Sequence, residues 1–304
     1  MAAADGLGHG SKCSAATSGY NFRVQSAIWH NLLVTSLFLA APLLLAALGE
    51  LIGETAGVLN IGLEGMMLCG ALAGAAIAFQ AGNPWIGLMG AAGAGAAVAV
   101  LFAVLTLYYK ADGVVAGTGL NLFALGITGT LNRAFIAKYP DYRAPTLPEW
   151  YFLAWGLALV MGLWAVFTRT RLGLQIRACG QQPAAAESAG VNVPLVRAGA
   201  TLLNGALCGV AGAFLTMSNL SSFVENNTNG RGFIALAIVI FGRWNPWGAL
   251  SAALLFGAAE AAQISLQGHI SVAYYPLVQA LPYVLPLITL ASFAGKSRSG
   301  PVFI

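Results

Sequence analysis

The chain has 304 residues, 58% of them hydrophobic and only 8% charged, with 14 basic and 10 acidic side chains and a net charge of +4. A soluble domain carries about 25% charged residues, so a soluble enzyme is excluded, and the hydrophobicity equally excludes a disordered chain. The arginines sit singly between apolar blocks, which leaves no basic run for nucleic acid.

A membrane-spanning helix needs about 20 mostly apolar residues. Residues 1–27 read as a polar N-terminal tail ahead of the first such stretch; a cleaved signal peptide would place its charges closer to the start and have a shorter apolar run. The stretches poor in Asp, Glu, Lys and Arg predict segments at 28–47, 60–80, 84–109, 113–136, 150–168, 197–217, 231–243, 247–266 and 273–293. The expectation is an all-α polytopic membrane domain over 28–293, about nine transmembrane segments with the seventh short, and a tail at 294–304. Lys and Arg in short loops favour the cytoplasm. Placing the loop 169–196 inside puts eight basic residues inside (Lys110, Arg169, Arg171, Arg177, Arg197, Arg243, Lys296, Arg298) and six outside. The N-terminus is then outside and the C-terminus cytoplasmic.

With that orientation, segments one to four and six to nine form an inverted repeat of four plus four around the fifth. Each half has a Gly-rich interruption. The first is Gly49-Glu50-Leu51-Ile52-Gly53-Glu54-Thr55-Ala56-Gly57, with Glu54 at a cytoplasmic helix end. The second is Asn229-Gly230-Arg231-Gly232, followed by Gly242-Arg243-Trp244-Asn245-Pro246. Broken helices at matching places point to a substrate pathway between the repeats. Glycines that merely permit close packing are the alternative, and Gly70-xxx-Gly74, Gly113-xxx-Gly117 and Gly205-xxx-Gly209 are read that way.

Asn60, Glu64, Asn121, Asn204 and Glu260 lie in or beside apolar segments. Polar groups at such depth face a bundle interior or a wet cavity. They either line the route of a polar solute or cap broken helix ends and bridge helices; both readings stand. In the loop 169–196, Pro183 suits a first helical turn, the alanines that follow favour helix, and Gly190 is a natural stop. A helix of about two turns is expected there, with small side chains suited to docking in another protein's groove. Cys13, Cys69, Cys179 and Cys208 are widely spaced, and His9, His30 and His269 share no ligand spacing, so neither a disulfide framework nor a metal site is suggested. The Asn219-Leu220-Ser221 and Asn226-Asn227-Thr228 triplets match the glycosylation sequon by chance. Gly295-Lys296-Ser297 lacks the glycine that a phosphate-binding loop needs at 290, where Leu290 stands, so nucleotide hydrolysis is expected on another chain.

Four blocks, ALGELIGETAGVLNIGLEGMMLCGALAG (47–74), VVAGTGLNLFALGITG (114–129), RTRLGLQIRACGQQPAAAESAGVNV (169–193) and GRGFIALAIVIFGRWNPWGALSAALLFG (230–257), resemble one family. It is the membrane permease of bacterial ABC importers for nucleosides and simple sugars, within the branched-chain amino acid and sugar permease superfamily. The resemblance runs in order from about residue 40 to 292 and leaves the tail 1–27 without a counterpart. It implies an inner-membrane heteromer: a second, different permease subunit, a cytoplasmic ABC ATPase that holds the ATP and magnesium, and an extracytoplasmic solute-binding lipoprotein. No cofactor is implied on this chain. The coupling helix would be Pro183, Ala185, Ala186, Glu187, Ala189 and Gly190, although its Ala185-Ala186-Glu187 order departs from the Glu-Ala-Ala of other importer classes. A branched-chain amino acid permease and an ion-coupled carrier using Glu64 and Glu260 are the alternatives; a membrane-embedded enzyme has no recognisable acid–base pair or nucleophile motif.

Overall fold

The structure, a computed structural model, describes residues 9–267, 274–280 and 284. Among the described residues every regular element is a helix. In chain order they are α1 (His9–Thr55), α2 (Leu63–Ala81), α3 (Pro84–Ala103), α4 (Gly113–Lys138), α5 (Glu149–Arg169), α6 (Arg171–Gln181), α7 (Pro183–Ser188), α8 (Val193–Phe214), α9 (Arg231–Phe241), α10 (Pro246–Gln267) and α11 (Tyr275–Gln279). α3 and α8 each widen into a π-turn at their C-terminal ends, Val104–Tyr108 and Leu215–Leu220.

Seven helices among the described residues are long and apolar enough to span a membrane: Asn31–Thr55, Leu63–Ala81, Pro84–Tyr108, Gly113–Lys138, Glu149–Arg169, Val193–Ser218 and Pro246–Gln267. The chain is thus a polytopic all-α membrane protein. α9 has 11 residues, about 16 Å at 1.5 Å each, half a hydrocarbon core of about 30 Å. The expected ninth segment at 273–293 lies largely outside the described residues, as do residues 1–8 and the tail 294–304.

The first segment differs from the expectation of 28–47. α1 begins at His9, inside the expected tail, and continues through Gly49 and Gly53 to Thr55. Those glycines admit a neighbour and do not break the helix: a Cβ on Gly49 would sit 3.0 Å from both the carbonyl and side-chain oxygens of Asn204 on α8. The interruption falls later, at residues 56–62, where Gly57 takes a φ of 87° that only glycine adopts without strain.

α1, α2 and α8 form the centre, with 61–67% of each span buried, while α3, α4 and α5 lie outside with 22–28%. Lipid supplies no hydrophobic drive between helices, so association depends on close packing of small residues. Here the backbones nearly touch. Gly70 on α2 faces the Gly209 backbone, Gly95 on α3 faces Gly205 and Gly209, and Gly212 faces the Met67 carbonyl. Gly113 and Gly117 pack instead on Leu59, Ile61 and Gly62, which brings α4 against the interruption. Leu43, Leu44, Leu48, Met66, Phe102 and Phe214 fill the core. The outer helices turn Leu122, Phe123, Met161 and Leu131 outward, as lipid or a partner requires.

Candidate functional site

Beyond Thr55 the chain doubles back along α1. Val58 N donates to the Gly53 carbonyl at 3.0 Å, and Asn60 N donates to Glu50 Oε1 at 3.0 Å. Asn60 Oδ1 then accepts from Gly62 N at 2.9 Å and its amide donates to Met66 Sδ at 3.4 Å. α2 therefore begins inside the bundle, and Asn60 is fully buried at its start. Asn121 reaches over from α4 and clamps both sides of the junction: Oδ1 accepts from Gly65 N at 2.8 Å, and Nδ2 donates to the Ile61 carbonyl at 2.9 Å.

The second interruption, 221–230, ends beside the first. It includes Asn226, Asn229 and Gly230 at φ 58°, 44° and 82°, a left-handed conformation that Gly and Asn tolerate best. α9 starts at Arg231 against Glu64 of α2. Glu64 Oε1 accepts from Thr228 Oγ1 and, at 2.8 Å, from Gly230 N, and Oε2 accepts from Gly232 N at 2.7 Å. Glu64 sits in the first turn of its own helix as well. One carboxylate thus serves two helix N-termini, whose free N–H groups and dipoles favour negative charge.

Two acids that the sequence reading did not place in the site complete it. Glu50 and Glu54, one helical turn apart on α1, are fully buried. Glu50 Oε2 accepts from Asn204 Nδ2 at 2.6 Å, and Glu54 Oε2 accepts from Trp244 Nε1 at 2.6 Å. Glu54 lies at the end of α1, as expected, but in the interior of the bundle. Four of the five sequence candidates, Asn60, Glu64, Asn121 and Asn204, belong to this network and serve as caps and helix bridges. Glu260 stands apart on α10, ion-paired with Arg231. The signal for Glu50 and Glu54 was their four-residue spacing, which puts both on one helix face.

The segment 169–196 is mostly helical. α6 was not expected; Thr170 caps it, its Oγ1 accepting from Gly173 N at 3.2 Å. α7 follows, shorter than two turns, with Gly190 at φ 83° beyond its end. Ala186 turns inward against Cys179 and Val193, whereas Ala185, Glu187, Ala189 and Gly190 are exposed and Pro183 half-buried. Arg197, on the first turns of α8, donates from Nε to the Ala56 carbonyl at 3.1 Å and from Nη2 to the Cys179 carbonyl at 3.2 Å. This joins α6 and α7 to the interruption that follows α1.

The arrangement holds polar junctions inside a membrane bundle and links them to a cluster of short helices at one end, as a transport subunit driven from outside the membrane requires. The chain matches the model of the family described as "Branched-chain amino acid transport system / permease component" over residues 32–290, and it belongs to that family. It is 33% identical to the guanosine ABC transporter permease protein NupQ of Bacillus subtilis (strain 168), covering 86% of this chain and 91% of that one. It is 34% identical to the nucleoside ABC transporter permease protein NupC of Lactococcus lactis subsp. cremoris (strain MG1363), with 86% and 91% covered. It is 35% identical to the putative glucose ABC transporter permease protein TsgC13 of Haloferax volcanii, with 82% and 81% covered. No solved structure matches the chain. The chain is accordingly a multi-pass transport subunit of an ABC system in the cell membrane.

Proposed function

We propose that this chain is one of two different permease subunits of an importer for nucleosides or simple sugars, powered by a separate cytoplasmic ABC ATPase and fed by an extracytoplasmic binding lipoprotein. The observation that carries the reading is the tie from α6 to the junction through Arg197, with α7 packed on α6 where Ala186 meets Cys179, because a subunit without its own power source needs such a joint. The relatives' names favour nucleosides and sugars over branched-chain amino acids. ATP and magnesium belong on the partner ATPase, since the Gly295-Lys296-Ser297 run has Leu290 where a phosphate-binding loop has glycine.

The exposed side of α7, with Pro183, Ala185, Glu187, Ala189 and Gly190, is the ATPase seat, and Ala186 anchors it from within. α1 ends against Gly180 on the same side, which supports an external start for α1. The solute route passes the α2–α9 junction. There Asn60, Glu64, Asn121 and Asn204 set the positions of the broken helices, and Glu260 meets the start of α9 through Arg231. The second permease covers the exposed apolar surface of α4 and α9, including Leu122, Phe123, Phe233 and Ile240.

Uptake of labelled guanosine, glucose and leucine in a strain lacking this chain tests the reading. Restored guanosine or glucose uptake on re-expression supports it; restored leucine uptake alone would replace it with the amino acid alternative.

A further inference from the structure

Six buried side-chain nitrogen and oxygen atoms among the described residues have no hydrogen-bond partner, and four of the six lie on Asn227, Arg231 and Glu260. They are Asn227 Nδ2 and Oδ1, Arg231 Nε and Glu260 Oε2. Arg231 joins the three residues: Nη1 donates to the Asn227 carbonyl at 3.3 Å, and Nη2 donates to Glu260 Oε1. The group thus contains two unused donors and two unused acceptors. Buried polar atoms are nearly always paired, so a concentration of unpaired ones asks for a partner.

We propose that Asn227, Arg231 and Glu260 form a solute subsite that recognises the vicinal hydroxyls of a sugar or ribose ring. This rests on the importer reading above and gives that reading a chemistry. A hydroxyl both donates and accepts, so two adjacent hydroxyls can pair with both the unpaired nitrogens and the unpaired oxygens. Charge argues in the same direction. The Arg231 cation is already neutralised by Glu260, which leaves no net charge for a phosphate. The position also suits a subsite. Arg231 opens the short helix α9, and Glu64 fixes that start through Gly230 and Gly232. The four atoms are closed off from solvent in this conformation. Solute reaches them when the segment 226–230, with two left-handed asparagines and a left-handed glycine, shifts and carries Asn227 with it.

The test compares Asn227→Ala and Glu260→Gln with the unaltered chain in the complete transporter, in membrane vesicles. Two pairs are used, guanosine with 2′,3′-dideoxyguanosine and glucose with 2,3-dideoxyglucose, with leucine as a zwitterionic control. The readout is the ratio of uptake within a pair, which does not depend on how much complex assembles. The unaltered transporter favours the diol, and each variant reduces that preference about two- to tenfold, as expected for losing a hydrogen bond. An unchanged ratio in both variants overturns the subsite and leaves the importer reading intact. Uptake of leucine but neither diol by the unaltered chain overturns both.

Discussion

Arg197 ties the start of α8 to the end of α1 by donating from Nε to the Ala56 carbonyl at 3.1 Å. Its Nη2 holds the Cys179 carbonyl at 3.2 Å, so one side chain bridges the short helix α6 and the interruption. Next along the chain Asn60 binds Glu50, and the α2 that follows carries Glu64 to α9. Movement at α7 therefore has a short covalent and hydrogen-bonded path to the α2–α9 junction.

Arg197→Met removes both bonds and keeps much of the side-chain volume. Bonds from a charged donor are worth about 1.5–3 kcal/mol each when their acceptors are left unpaired. The expected outcome is ATP hydrolysis by the assembled complex with solute uptake reduced at least several-fold. Parallel assays of phosphate release and uptake on the same preparation check it; equal loss of both would assign Arg197 to assembly alone.

Glu64→Gln keeps the shape but turns an amide N–H₂ toward donors. Thr228 Oγ1, Gly230 N and Gly232 N all point at the two oxygens, so at least one donor is stranded. The loss is roughly 1.5–3 kcal/mol, and the melting midpoint of the purified complex should fall by several degrees. Thr228→Val, which removes a single donor, should lower it less. A fully stable and active Glu64→Gln complex would remove the carboxylate from the junction.

Gly70→Ala should prevent assembly or sharply destabilise the chain, because its Cβ would overlap the Gly209 backbone, which has no flexible end to move. Overpacking of this kind costs about 1–3 kcal/mol or more. Gly93→Ala on α3 is the control: nothing lies within 4 Å of a Cβ there, and the midpoint should hold or rise. Similar midpoints for the two variants would contradict the packing described.

A pH dependence follows from the surface pair Arg133–Glu225, whose atoms are 2.9 Å apart. The guanidinium hydrogen-bonded to Glu225 holds its carboxyl below the usual range. A depressed carboxyl contributes stability above its unfolded pKa and loses it as pH falls through the folded value. Both groups are well exposed, so the contribution is small and salt screens it. Glu225→Gln should flatten the acid side of the stability profile slightly at low salt and do nothing at high salt. A large, salt-independent change would show that the pair is shielded from solvent.

Much of the fold was legible because charge is scarce in a membrane. The expected segments at 60–80, 84–109, 113–136, 150–168, 197–217 and 247–266 each coincide with a spanning helix. The end of α1 was misplaced because Glu50 and Glu54 read as the end of an apolar run. Their partners Asn204 and Trp244 lie 154 and 190 positions away, and no local pattern announces such pairs. α6 was missed because Arg171 and Arg177 marked the stretch as a loop, although the helix needs only a narrow buried face of Gly173, Cys179 and Gly180. Asn60, Glu64, Asn121 and Asn204 were visible as polar residues in apolar surroundings. Their convergence was not, since it depends on two interruptions meeting in space.

The central claim is that this chain is the passive membrane half of an ATP-driven importer, and reconstitution tests it most directly. The chain, its second permease and the ATPase are placed in liposomes, with ATP inside and labelled guanosine or glucose outside on the binding protein. The account predicts accumulation that requires ATP, stops when this chain is omitted, and falls with Glu187→Arg on the exposed side of α7. Accumulation without ATP under an imposed sodium or proton gradient would contradict it.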